Sequence, residues 1–160
     1  LRIYVKHKEN QKFEITENVL NLIKKEKKFG LDKIDTYLNF QEKIELLKQQ
    51  ISEFLISINK ESKTIVGYGA PAKGNTLLNY CQINRDIINY TVDKNIHKQG
   101  LFLPGTHIPI ESPEKIKTTK PDYILILPWN LKDEIIQQMD FVRNWGGKFV
   151  TVIPEVKIHL

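Results

Sequence analysis

The spacing of apolar positions changes partway along this 160-residue chain, and the change divides it into a helical part and an α/β part. At the start, Leu1, Ile3 and Val5 alternate with Arg2, Tyr4 and Lys6, as in a half-buried strand, although by itself such a strand has nothing to pair with. The period then lengthens. Thr16 stands as an N-cap before Val19, Leu20 and Ile23, and Phe29-Gly30 reads as a helix end whose glycine is free to take a positive φ, which predicts a helix over 17–29. Asp32 is placed to cap a longer helix in which Ile34, Tyr37, Leu38, Ile44, Leu47, Ile51, Phe54, Leu55 and Ile58 step mostly by threes and fours. That stripe requires a partner surface: the sheet that follows, the rest of a parent protein or, through an imperfect heptad, a second copy.

Beyond Lys60 the pattern becomes one of short apolar runs between helices. Strands are predicted at 64–66, 87–92, 123–127 and 149–152, with an extended segment at 108–110, helices at 72–81 and 131–142, and a helical turn at 113–116. Runs such as YILIL, apolar at every position, mark strands buried on both faces, which is how parallel sheets between helix layers are built. The expected fold class is therefore α/β: a Rossmann-like, doubly wound, mostly parallel sheet of four or five strands with an N-terminal helical arm. The arm is expected over 7–60 and the sheet domain over 61–160. No internal repeat or low-complexity tract interrupts this order.

Composition sharpens the picture in three ways. A chain 41% apolar at this length supports one sizeable core. The net charge of +5 is spread over both halves, and its one dense cluster, Lys24, Lys25, Lys27 and Lys28, is interrupted by Glu26 inside a predicted helix. A solvated helix face explains that cluster better than a nucleic-acid patch. The single cysteine, Cys81, forms no intramolecular disulfide, and neither a signal-peptide pattern nor a long apolar run is present. A cytoplasmic location is expected, with neither membrane nor nucleic acid as partner. Met139 is the only methionine and the chain begins at Leu1, so a piece of a longer polypeptide is expected.

The chemistry concentrates where the first sheet strand meets a helix, in Gly67-Tyr68-Gly69-Ala70-Pro71-Ala72-Lys73-Gly74-Asn75-Thr76. A GxG after a strand brings backbone N–H groups and a helix N-terminus toward a phosphate, and an acidic residue farther on, here Asp93, is placed to bind a sugar hydroxyl. Ala72 stands where the fingerprint has its third glycine. Pro71 is tolerated near the first helical turn, whose N–H groups lack intrahelical partners. Lys73, Asn75 and Thr76 add a cation and short polar groups suited to an anionic phosphate or to sugar hydroxyls. The ligand class suggested is a nucleotide; the competing reading is a merely structural turn.

Several long motifs in one order resemble the C-terminal domain of bacterial sugar C-methyltransferases. They are GYGAPAKGNTLLNYC, Val92-Asp93-Lys94-Asn95, the Lys98-Gln99-Gly100 to Pro104-Gly105-Thr106-His107-Ile108-Pro109-Ile110 loop, Leu127-Pro128-Trp129-Asn130 and Gly146-Gly147-Lys148-Phe149. The resemblance covers roughly residues 1–157 and implies that 1–6 are the closing strand of a preceding methyltransferase domain. It implies that a small zinc-binding domain and an S-adenosylmethionine-dependent domain come first. A nucleotide sugar, a dTDP-hexose or similar, would lie in the cleft between the central domain and this one. A methyl group would go to a sugar carbon next to a keto group, after proton abstraction to an enolate-like intermediate. The zinc cysteines, the S-adenosylmethionine loop and the acid/base residues would all precede Leu1, so this chain is expected to bind no cofactor or metal itself and to be inactive alone.

What remains is substrate binding, by Gly67, Tyr68, Gly69, Ala70, Lys73, Asn75, Thr76, Asp93, His107, Trp129 and Asn130. Each has a plainer alternative. Lys73 neutralises a diphosphate or sits in solvent; Asp93 accepts from hydroxyls or forms a turn; His107 orients a hydroxyl or bonds the backbone. Trp129 stacks on a ring or belongs to the core, and Asn130 with Asp133 reads first as a helix N-cap pair. Tyr68 shapes the pocket wall. Two other functions use the same features: a nicotinamide-dinucleotide module, which predicts NADH binding, and a structural or oligomerising appendage, which predicts no ligand.

Overall fold

The computed structural model describes residues 2–159, and its contacts divide the chain into two compact units, the first ending at Lys43 and the second beginning at Ile44. In the first unit, helix α1 spans Glu17–Phe29. Thr16 holds the N-cap position, but its hydroxyl makes no capping bond. Gly30 ends the helix at φ 84°, with its N–H on Lys27 C=O and the Leu31 N–H on Glu26 C=O. That is the Schellman pattern, which takes up two orphan carbonyls. The alternating run at the N-terminus forms no strand over 2–6, and Leu1 lies outside the described residues. A ladder needs a second strand, and none of the described strands pairs with this run.

Helix α2, Ile34–Lys60, begins two residues past Asp32, so Lys33 rather than Asp32 stands at the cap position. Within the second unit its Leu47, Ile51, Leu55 and Ile58 are buried, spaced by fours and a three on one face. They join Ile65, Leu125 and Val150 in one core cluster, so this stretch of the stripe finds its partner in the sheet.

Six strands form that sheet: β1 Ile65–Tyr68, β2 Thr91–Val92, β3 Ile110–Glu111, β4 Tyr123–Ile126, β5 Lys148–Thr151 and β6 Lys157–His159. Their order is β3-β2-β1-β4-β5-β6, parallel throughout except for antiparallel β6. Three further helices connect them: α3 Ala72–Tyr80, α4 Glu114–Thr119 and α5 Lys132–Gln138. Successive strand residues feed opposite faces. Leu125 and Val150 pack with α2 and α3, while Ile124, Ile126 and Phe149 pack with Ile116 of α4 and Ile135 of α5. The fold is thus α/β, with a mostly parallel, doubly wound sheet. Because the chain leaves β1 toward β2 and β4 toward β5, neighbouring β1 and β4 form the topological switch point, where open α/β sheets bind ligands beyond their carboxyl ends.

Three elements differ from expectation. The strand expected over 87–92 shrinks to Thr91–Val92, because Asn84 accepts the Asp86, Ile87 and Ile88 N–H groups and holds a turn there. The helix expected over 131–142 is replaced by a 3-10 turn at Trp129–Leu131, α5, and a second 3-10 segment at Asp140–Trp145, with Met139 leaving the helical region at φ −108°, ψ 19°. Strand β6 carries one apolar residue in three, too short a signal for a period-2 reading.

At the amino ends of β1 and β4, Asp122 acts as a clip. Its Oδ2 accepts the Thr64 N–H at 2.8 Å and the Thr64 hydroxyl at 2.9 Å, and Lys63 Nζ lies 3.2 Å from Oδ1. The Thr64 N–H, before any other cause, holds this carboxyl below the usual aspartate range. A depressed folded-state value contributes stability above the unfolded pKa that is lost as pH falls through the folded one. Acid titration followed by circular dichroism is expected to show wild type exceeding Asp122→Asn in stability at neutral pH. The gap should close below about pH 4. A gap constant from neutral pH down to pH 2 would contradict this role.

Candidate functional site

The Gly-rich turn leaves β1 along a path with little room for side chains. A Cβ on Gly67 would meet Thr91 Oγ1 at 2.6 Å, and that hydroxyl donates to Gly69 C=O at 2.8 Å. Gly69 has φ 89° and donates its N–H to Val92 C=O; a Cβ there would lie 2.6 Å from Pro128 Cδ. Gly74, two positions past the missing third glycine, lies where a Cβ would meet Leu127 Cβ at 2.8 Å. It does the work of that third glycine, letting α3 approach the sheet closely.

Asp93, just past β2, holds this turn in place. Its Oδ2 accepts the Ala70 N–H at 2.8 Å, its Oδ1 accepts the Asn95 N–H at 2.8 Å, and Lys98 Nζ lies 3.3 Å from Oδ2. Lys98 also donates to Ala70 C=O at 3.0 Å, and the Gln99 amide donates to Asp93 C=O at 2.9 Å. Both carboxylate oxygens are therefore engaged with the turn, as the turn-forming alternative describes, and Oδ1 keeps a lone pair for a further donor. Lys98 and Gln99 stand in a motif singled out above, but neither was assigned a role there.

Helix α3 starts after Pro71, and its first i to i−4 bond runs from the Asn75 N–H to Pro71 C=O at 3.0 Å. The N–H groups of Ala72, Lys73 and Gly74 precede that bond and are the donors that a helix start leaves without intrahelical partners. Beside them, the Lys73 ammonium hydrogen-bonds Asn130 Oδ1 and lies 4.4 Å above the Trp129 ring. Three predicted residues from two distant segments thus meet at the β1–β4 switch point. Asn130 falls inside the 3-10 turn and gives its carbonyl oxygen to Lys73, so it is not the helix cap expected of it. Lys73 and Asn130 are exposed and Trp129 half-buried, which makes this an open edge.

The other predicted residues differ in what they offer. Thr76 donates its hydroxyl back to Ala72 C=O at 3.2 Å, within its own helix. Asn75 Oδ1 is buried without a partner, while Asn79, one turn on, ties α3 to the β2–β3 loop by donating to Pro104 C=O at 3.0 Å. His107 sits in that loop at φ 54°, exposed, its N–H on Leu103 C=O; none of the described hydrogen bonds joins it to Lys73, Trp129 or Asn130. Tyr68 is 4% exposed, and its hydroxyl has no partner among the described residues. Burial first, then the charges of Asp93 and Glu134, keep that phenol protonated above its usual range.

Two cavities open elsewhere on the sheet unit. One of about 320 Å³ is lined by Leu55, Lys63, Ile65, Cys81, Ile83 and Asn89, at the amino end of β1. The other is lined by Arg85, Tyr90, Phe102 and Lys115, among others. Neither includes the Gly-rich turn, Asp93 or Trp129. Geometry, not depth, singles out the carboxyl edge: free N–H groups, a cation and an aromatic face converge there, whereas burial pushes the Cys81 thiol up and leaves it a poor nucleophile. No described helix is long and apolar enough to cross a membrane.

Comparison with known proteins agrees with these motifs. Residues 1–154 match the family described as C-methyltransferase C-terminal domain. A curated relative, C-methyltransferase NovU of Streptomyces niveus, is 38% identical over 146 residues, which cover 91% of this chain and 34% of that protein. The chain spans about a third of the length of that relative.

Proposed function

Since the chain belongs to the C-methyltransferase C-terminal domain family, we propose that it is the substrate-holding part of a longer, S-adenosylmethionine-dependent enzyme that methylates a carbon of a nucleotide-linked ketosugar. The observation that carries this reading is the meeting of Lys73, Trp129 and Asn130 beside the unpaired N–H groups of α3, at the switch point of the sheet. A diphosphate suits those donors and that cation. Trp129 offers its face to a base or a hexose. Gly67, Gly69 and Ala70 supply close backbone approach, with Asn75, Thr76 and His107 at the flanks.

The methyl donor belongs, on this reading, to the preceding domain of the longer protein, which covers the open edge from the other side. Asp93 holds the Gly-rich turn by accepting the Ala70 and Asn95 N–H groups, one on each oxygen, which supports a positioning role for it on this reading. Alone, the chain holds substrate and transfers no methyl group.

Titration calorimetry with dTDP-glucose, UDP-glucose, NADH and S-adenosylmethionine tests the reading. A nucleotide sugar is expected to bind, and Lys73→Ala to weaken it by about tenfold or more, the worth of one charge-assisted contact to phosphate. Binding of NADH in preference to nucleotide sugars would replace this reading with the dinucleotide one. Silence from every ligand together with a stable oligomer would favour a structural appendage.

A further inference from the structure

The cavity at the amino end of β1 lies apart from the candidate site and has a chemistry of its own. It falls wholly within the unit that begins at Ile44, and its floor is aliphatic: Leu55 and Ile58 of α2, Ile65 of β1 and Ile83 beyond α3, all buried. Exposed Asn59, Asp86 and Asn89 also line it, so it opens to solvent between the end of α2 and the turn before β2. At about 320 Å³ it has about twice the volume of a ~150 Å³ apolar cavity that takes up benzene. One ring with a short side arm fills that space. None of its described lining residues is aromatic, so a nucleotide base finds nothing there to stack on.

Two helix ends frame this opening. Helix α2 closes with the Ser62 N–H on Asn59 C=O at 2.9 Å and the Lys63 N–H on Ile58 C=O at 3.0 Å; α3 closes in the same way, with Gln82 on Asn79 C=O at 3.1 Å and Ile83 on Leu78 C=O at 2.9 Å. Each brings the negative end of a helix dipole beside the cavity. Lys63 is also a lining residue, but its charge is met by Asp122 at 3.2 Å. Asp86 is not met in that way: its Oδ2 accepts from the uncharged Asn84 amide at 3.2 Å, and none of the described ion pairs includes it. Arg85, next in sequence, lines the second cavity and not this one. The charge left uncompensated among the lining residues is therefore negative. Beside it, the side chains of Asn59 and Asn89 bond no described residue, which leaves their amide oxygens able to accept.

We propose that this cavity binds a small apolar amine, its body buried against Leu55, Ile58, Ile65 and Ile83 and its ammonium at the mouth beside Asp86, Asn59 and Asn89. Burial of the body supplies most of the affinity, and the head group sets the preference. A carboxylate on the same body would meet Asp86 and two helix C-termini, and is disfavoured. The site stands at the edge of the sheet opposite Lys73 and does not rest on the nucleotide-sugar reading.

Three probes with one phenyl body, phenethylamine, phenethyl alcohol and hydrocinnamate, separate body from head group when titrated into the nitrogen-labelled chain and followed by backbone amide shifts. Phenethylamine is expected to bind with an affinity on the order of 1 mM, its shifts centred on Ile65, Cys81 and Ile83. The alcohol should bind about threefold more weakly, the worth of one exposed charge pair, and hydrocinnamate more weakly still. Asp86→Asn leaves Asn84 an acceptor, so this variant should melt as wild type does. It should bring phenethylamine down to the affinity of the alcohol and leave the alcohol unchanged. Equal affinity for the three probes, tighter binding of the alcohol or the acid, or an amine preference that survives Asp86→Asn would overturn the assignment. So would an absence of shifts at Ile65, Cys81 and Ile83 with every probe, or shifts confined to Lys73 and Trp129. Binding of dTDP-glucose at the other edge is a separate result, and either can fail without the other.

Discussion

A Gly69→Ala variant is expected to lose about 3 kcal/mol of stability and, with it, measurable ligand binding. Two terms add. At φ 89° a Cβ costs alanine about 1 kcal/mol relative to glycine. The same Cβ would lie 2.6 Å from Pro128 Cδ, a ring atom that cannot swing aside as the end of a long side chain does. Relieving such overpacking costs typically about 1–3 kcal/mol, and here it must displace the segment that carries Trp129 and Asn130. Denaturant melts measure the first effect and nucleotide-sugar titration the second. A variant within about 1 kcal/mol of wild type that still binds would mean that the Pro128 segment yields freely, and the close approach would then be no constraint on the site.

Asp93→Ala is expected to cost a similar amount, about 3 kcal/mol, by a different route. Removing the carboxylate strands the Ala70 and Asn95 N–H groups and takes the acid partner from Lys98. Asp93→Asn keeps one acceptor oxygen and should recover about half of the loss, roughly 1.5 kcal/mol. The two variants should therefore differ in urea midpoint with similar slopes. If instead both melt as wild type does but lose nucleotide-sugar binding, Asp93 faces the ligand, and its engagement with the turn is incidental.

How far these features could be read from the sequence depended on how local their causes are. Helix α1 has the bounds its cap position and glycine predicted, because a Schellman ending involves only neighbouring residues. The apolar runs of β1, β4 and β5 announced strands buried on both faces, and so the sheet. Strand β2 was overestimated, since Asn84 bonds three N–H groups ahead of it and apolar content alone does not register that turn. The site divides in the same way. Lys73 and the Gly-rich turn were visible as local chemistry. The junction of Lys73 with Asn130 bridges 57 positions, and spacing cannot foresee it. Asp93 was found with both a ligand contact and a turn as its alternatives, but its hydrogen bond to the Ala70 N–H, 23 positions away, could not be foreseen because it exists only once β1 and β2 are side by side.

Helix α2 carries one more implication. Its 27 residues run past the division between Lys43 and Ile44, and its second half supplies four of the buried side chains that cover one face of the sheet. A cut that keeps this sheet's core intact therefore has to fall inside helix α2, ahead of Leu47, and not in the loop after Lys60. Any chimera that splices a foreign partner at Glu61 would graft a sheet with α3 as the remaining helical cover on that face, and would owe its failure to missing Leu47, Ile51, Leu55 and Ile58, whatever the merits of the transplanted specificity.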